Sequence, residues 1–228
     1  MKILAFDTST EYLSVALSAG DRLRVHESLA GQQHSSLLLP TVSKLLAEAN
    51  LTLTQLDCIA FGAGPGSFTG LRIACSAAQG LAFGADIPVV GISTLLAMAQ
   101  ASGADKVIAA LDARMGEIYH AAYEKKSGVW HAVIAPNLCK PEAAPAVSGT
   151  DWVGVGNAFA VYVHLQTHYA KHLTRLDAEI FPHAQQILTL AQTEFLAGRA
   201  VAAEFAAPVY IRNKVAMTHV EQQQRAKA

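Results

Sequence analysis

Residues 2–29 read KILAFDTSTEYLSVALSAGDRLRVHESL, and residues 107–124 read VIAALDARMGEIYHAAYE. Each stretch opens with an apolar run that closes on an aspartate, Asp7 in the first and Asp112 in the second, then turns through polar residues and returns as another strand-like run. Strands are expected over 2–7, 11–18 and 22–29, the middle one half-buried because Leu13, Val15 and Leu17 alternate along it. Thr8–Glu11 and Ala19–Asp21 are the size of hairpin turns.

From Ser36 the chain continues SLLLPTVSKLLAEAN, where Leu38, Val42, Leu45, Leu46 and Ala49 recur at three- and four-residue spacing. That spacing makes an amphipathic helix over 36–50, with Pro40 in its first turn, where the missing N–H has no partner to lose. A buried strand over Leu56–Phe61, a glycine loop, a helix over Gly70–Phe83, a strand over Pro88–Ile92 and a further buried helix follow. In the second half, DWVGVGNAFAVYV sets an apolar strand against Gly-x-Gly, as CIAFGAG does in the first. Two similar βββαβα lobes, each with an acidic residue in the first hairpin, form the pattern of an α/β protein of the actin-like ATPase class (ASKHA, ribonuclease H-like). The expected lobes are 1–104, completed by a C-terminal segment at about 205–228, and a reduced second lobe at 105–204. From about residue 212 the chain is polar, including Gln222–Gln224, and reads as a peripheral helix or a frayed tail.

Composition narrows the functional classes. A hydrophobic fraction of 52% with 15% charged residues fills a core and suits one domain or two closely packed lobes in 228 residues. A net charge of −1 advertises no global field for nucleic acid. Cys58, Cys75 and Cys139 are widely spaced and form no CxxC pair, which fits a reducing, cytoplasmic setting. Residues 87–104 lack charge, but Pro88, Gly91, Ser93, Thr94, Gln100 and Ser102 break the run, so no membrane span is expected.

The loop GAGPGSFTG at 62–70 resembles a phosphate cradle. Yet a Walker loop needs Gly-Lys-Ser/Thr, and no lysine lies between 45 and 105; a dinucleotide loop needs a third glycine where Thr69 stands. The glycines permit a tight turn, and Ser67 or Thr69 can cap the helix behind it. That helix carries one charge, Arg72, and has small residues all round, so every face needs cover, from the rest of the chain or from another protein. Asp7 and Asp112 are candidate nucleotide-site carboxylates that could manage a magnesium ion or water; each also suits an Asx-turn. His164, His168 and His172 recur every four residues, but Leu165 stands where a zinc protease carries its glutamate base, so the stripe reads as a solvated face.

Four ordered motifs, ILAFDTSTEYLSVAL, GAGPGSFTGLRIACSAAQGLAFGADIPVVGISTL, LDARMGEIYHAAY and APVYIRN, together resemble the bacterial TsaB (YeaZ) family, from Ile3 to Asn213. The resemblance implies the actin-like two-lobed fold and a non-catalytic scaffold role in making N6-threonylcarbamoyladenosine (t6A) at position 37 of tRNAs that read ANN codons. It implies pairing with TsaD, the related catalytic subunit, joined by the ATPase TsaE, a homodimer when alone, tRNA contact only indirectly, and no cofactor. Contact through the helices at 36–50 and 68–84 makes Leu38, Leu45, Gly70, Arg72, Ile73, Ala77 and Ala78 the candidate interface residues. In TsaD relatives a strand similar to IPVVGI leads into a metal-binding His-x-x-x-His pair; here the two places hold Thr94 and Met98, a donor set unsuited to such an ion. The competing readings are a free-standing actin-like ATPase using Asp7 and Asp112, an M22-type metallopeptidase-like enzyme, and a purely structural dimer.

Overall fold

The period-two runs pair as two sheets laid out to one plan. The computed structural model describes residues 1–212. In the first sheet β1 (Ile3–Asp7) pairs antiparallel with β2 (Tyr12–Ala19), which pairs with β3 (Arg22–Leu29); on its other side β1 runs parallel to β4 (Cys58–Gly64), and β4 to β5 (Val89–Ser93). The second sheet repeats this with β6 (Lys106–Asp112), β7 (Ile118–Lys126), β8 (Val129–Cys139), β9 (Trp152–Val155) and β10 (Leu173–Asp177). The orders β3-β2-β1-β4-β5 and β8-β7-β6-β9-β10 are the same order twice. This is the actin-like, ribonuclease H-like architecture, with Asp7 and Asp112 both ending the central strand of their sheet.

The helices are α1 (His34–Ala49), α2 (Phe68–Ala85), α3 (Thr94–Ala101), α4 (Ala158–Val161), α5 (Val163–Tyr169) and α6 (Ala184–Leu196). Because α1 begins at His34, Pro40 falls in the helix interior rather than its first turn; the carbonyl it leaves without a helical donor belongs to Ser36, which is exposed. α1 and α2 both stop at a residue in the left-handed conformation, Asn50 and Asp86. Where the first lobe has α1, the second has one 3-10 turn at 141–143, and α4 and α5 stand in place of the longer α2.

The lobes exchange their last helices. α3 sends Leu95, Met98 and Ala99 into the core of the second sheet, beside Val107, Ala109 and Tyr123. In return α6 sends Ala184, Ile187, Leu188 and Ala191 onto the first sheet, against Ile3, Ala5, Ala60 and Val90. The expected boundary at 204 therefore misplaces α6, because chain order puts it in the second lobe while its apolar face is buried by the first. Val201 then pairs with Val89, Ala203 joins the core under α2, and the Val209 amide reaches Ala63 O at 2.7 Å. The rest of the segment expected over 205–228, and the polar stretch from 213 on, lie outside the described residues. Among the described residues no helix is long and apolar enough to cross a membrane.

Candidate functional site

The turn after β1, the turn after β6, the glycine loop and residues 209–212 face one another across a cleft of about 780 Å³ between the lobes. Both aspartates at its base form the same local device. Asp7 Oδ1 accepts from the Ser9 amide at 2.9 Å, and Asp112 Oδ1 accepts from the Arg114 amide at 2.9 Å, two residues on in each case. Both are Asx-turns that shape a hairpin.

Their surroundings differ. Asp112 lines the cleft, and its acceptors are spent within the chain: Oδ1 also takes the Tyr162 hydroxyl at 2.9 Å, and Oδ2 lies 3.2 Å from the Arg114 guanidinium. Asp7 is buried beneath the cleft. Its Oδ1 takes the Ser9 hydroxyl at 2.7 Å, while Oδ2 has no partner among the described residues and lies so close to Gly62 that a methyl group there would collide with it. Burial raises the Asp7 carboxyl to about 6, against the pull of the two Ser9 hydrogen bonds.

The glycine loop packs on the first hairpin turn. The Ser67 amide donates to Ser9 O at 2.8 Å, the Thr8 hydroxyl donates to Gly70 O at 2.7 Å, and the Thr94 hydroxyl donates to Pro65 O. A Cβ at Gly66 would overlap Ser9, and one at Gly70 would overlap Thr8 O. Of the loop glycines only Gly64, with φ +121°, uses a left-handed backbone; Gly62, Gly66 and Gly70 are needed for close approach instead. Ser67, rather than Thr69, caps α2, its hydroxyl accepting from the Gly70 amide at 3.3 Å.

Thr94 and Met98 are fully buried, the Met98 methyl filling the place where a side chain at Gly156 would stand. Neither offers a site for a divalent cation. His164 and His168 are exposed on α5, but the helix ends at Tyr169, and the His172 ring turns away to Gly149 O at 2.6 Å, so the three do not form one stripe. Among the described residues no group of three His, Cys, Asp or Glu side chains is placed to hold a metal. His120, fully buried, donates to Tyr169, whose own hydroxyl donates to Pro145 O; burial lowers its pKa to about 4 and keeps it neutral.

The helices expected to meet a partner divide in two. Leu38, Leu45 and Ala78 point into the first-lobe core and Gly70 is buried against Thr8 O, which corrects their candidacy as exposed contact residues: an apolar position on an amphipathic helix is claimed first by its own sheet. Arg72 is exposed, and Ile73 and Ala77 are half-buried. The surface α2 leaves uncovered is the stripe Thr69, Arg72, Ser76, Gly80 and Gly84, with Phe83 at 73% exposure. Beside it α1 presents Leu39 at 48% exposure. A Cβ at Gly80 or Gly84 would meet nothing within 4 Å. The sequence carries that signal in the four-residue spacing of Ser76, Gly80 and Gly84. Residues 209–212, which wall the cleft, belong to the segment expected to complete the first lobe, but no sequence signal placed them in the cleft, because the contact joins distant parts of the chain.

The family description of TsaD, tRNA N6-adenosine threonylcarbamoyltransferase, matches residues 25–220. The chain is 42% identical over 226 residues to the "tRNA threonylcarbamoyladenosine biosynthesis protein TsaB" of Escherichia coli, covering 95% of this chain and 96% of that one. It is 40% identical to the Haemophilus influenzae protein of the same name, covering 94% and 95%. Among solved structures, YeaZ from Pseudomonas aeruginosa superposes with a TM-score of 0.83 at 39% identity, over 92% of this chain and 99% of that one.

Proposed function

The chain belongs to the TsaB family, and on that premise we propose that it takes part in tRNA threonylcarbamoyladenosine biosynthesis as a non-catalytic subunit that docks TsaD on the α2 face. The observation that carries this reading is the uncovered stripe Arg72, Ser76, Gly80, Phe83 and Gly84. Small side chains in such a row let a second helix approach closely, and an exposed aromatic at its end supplies an anchor. Several of the other candidate groups are engaged within the chain: Asp112 meets Arg114 and Tyr162, the glycine loop packs on Ser9, and Thr94 and Met98 are packed into core.

In this reading TsaD supplies the transfer chemistry, TsaE joins the pair, and tRNA is contacted mainly through the partners, consistent with a net charge of −1. The same face pairs two copies of this chain when TsaD is absent. The work is done in the cytoplasm. The cleft is the feature that favours a free-standing ATPase, but its two aspartates are organised as turn formers.

The test is co-elution with purified TsaD on gel filtration. Gly80→Arg, which fills open space, is expected to abolish the complex while leaving the fold intact. Undiminished assembly of that variant contradicts α2 as the docking face.

A further inference from the structure

We propose that residues 207–212 form a strap that couples closure of the two lobes to occupancy of the α2 face, with Arg72 as the link. The proposal rests on the docking reading above and adds regulation to that face.

The strap is tied at both ends. On the first lobe the Val209 amide donates to Ala63 O in β4 at 2.7 Å, and Val209 O sits so close to Gly64 that a Cβ there would lie 2.7 Å away. On the second lobe Arg212 grips the turn between β6 and β7. Its Nη2 meets Glu117 Oε2 at 2.6 Å and Arg114 O at 3.4 Å, and Nη1 meets Met115 Sδ at 3.1 Å. The Arg212 side chain is only 11% exposed, so this ion pair is shielded better than a surface pair. Val209, Tyr210, Ile211 and Arg212 all line the cleft that the strap spans.

Between the two ties, Tyr210 touches α2. Its ring lies 5.3 Å from that of Phe68, and its hydroxyl accepts from Arg72 Nε at 3.1 Å. The Arg72 guanidinium in turn lies 3.8 Å over the Phe68 ring. Arg72 stands one helical turn before Ser76, at the head of the uncovered stripe. One guanidinium therefore touches both the docking surface and the strap. A helix laid along Ser76, Gly80 and Gly84 passes over Arg72 and fixes it on Phe68, which holds Tyr210 and tightens the strap across the cleft. By linkage, cutting the strap at its far end weakens docking by the same factor.

Amide exchange at Val209 reads the strap directly. In the isolated chain, diluted until it is monomeric so that no second copy covers α2, Arg72→Ala and Tyr210→Phe are each expected to speed that exchange about tenfold, with unchanged thermal unfolding; exchange at the wild-type rate in both overturns the coupling. With TsaD added, the wild-type Val209 amide slows by about tenfold more, and this protection is lost in Arg72→Ala. Glu117→Ala, on the other lobe and away from the stripe, is expected to raise the Kd for TsaD about tenfold, and wild-type affinity overturns the proposal. If TsaD fails to bind the wild type at all, the docking reading falls, while the isolated-chain exchange still decides the strap.

Discussion

The first lobe and the second share one strand order and one Asx-turn after the central strand, yet they are covered differently. The first keeps two full helices, α1 and α2, and leaves a row of small residues on α2 open to solvent. The second has a 3-10 turn and two short helices in their place, and its aspartate is tied off by Arg114 and Tyr162. The duplicated sheet is thus the common frame, and in the proposed reading the helices decide which lobe meets another molecule. The glycine-rich stretches diverge only in part. In the first lobe they bring backbone against backbone, at Gly66 and Gly70; in the second, Gly156 does the same against Ala110 O, whereas Gly154 faces the tip of the Phe159 ring.

This contrast breaks most severely at Gly70. A methyl group there would overlap Thr8 O, a backbone atom held by the β1–β2 turn, so Gly70→Ala is expected to cost about 3 kcal/mol in urea denaturation. Gly154→Ala, whose methyl would lie 3.0 Å from the Phe159 ring, costs about 1 kcal/mol. Equal losses would contradict the distinction between a glycine held against backbone and one held against a ring. Next in size is docking: Gly80→Arg lowers affinity for TsaD by at least about 100-fold, whereas His164→Arg on α5 leaves it unchanged. Titration calorimetry on both variants checks this.

Two smaller effects concern buried ionisable groups, which respond to acid with opposite signs. His120 of the second lobe has its pKa lowered to about 4, so the unfolded chain takes up this proton first as pH falls below the usual 6.5. It therefore withdraws about 2 kcal/mol of stability between pH 7 and pH 5, a loss that His120→Gln is expected to abolish. Asp7 of the first lobe has its pKa raised to about 6 from 3.8, so the folded chain takes up this proton first. Its contribution is complete below 3.8 and fades as pH rises through 6. Between pH 7 and pH 5 the wild type thus gains about 1 kcal/mol relative to Asp7→Asn. Parallel pH profiles for wild type and variant would contradict either assignment.

Much of this frame was legible from local pattern. Alternation at Leu13, Val15 and Leu17 reports a strand because successive side chains leave opposite faces, and the i to i+2 reach of Asp7 and Asp112 makes a turn wherever the chain folds back. Exchange of α3 and α6 between the sheets was not legible, since amphipathic periodicity tells that a helix is buried and not by which sheet. The docking face suffered from the same ambiguity. Leu38 and Leu45 are candidate contact residues because the resemblance implies contact through their helix, but being apolar they belong to the core; the free surface is marked by what the core did not claim, Ser76, Gly80 and Gly84. The strap joins Arg72 to Tyr210 and Glu117 to Arg212, pairs too distant along the chain for any local rule to connect.

The most direct measurement is formation of threonylcarbamoyladenosine on unmodified tRNA, with the threonylcarbamoyl adenylate donor and ATP supplied, by reconstituted TsaD and TsaE, with this chain added as wild type or as Gly80→Arg, and with this chain supplied alone. Acting through α2, the wild type should restore modification, while Gly80→Arg and the chain alone should give none. Modification by the chain alone, or undiminished support from Gly80→Arg, would contradict it.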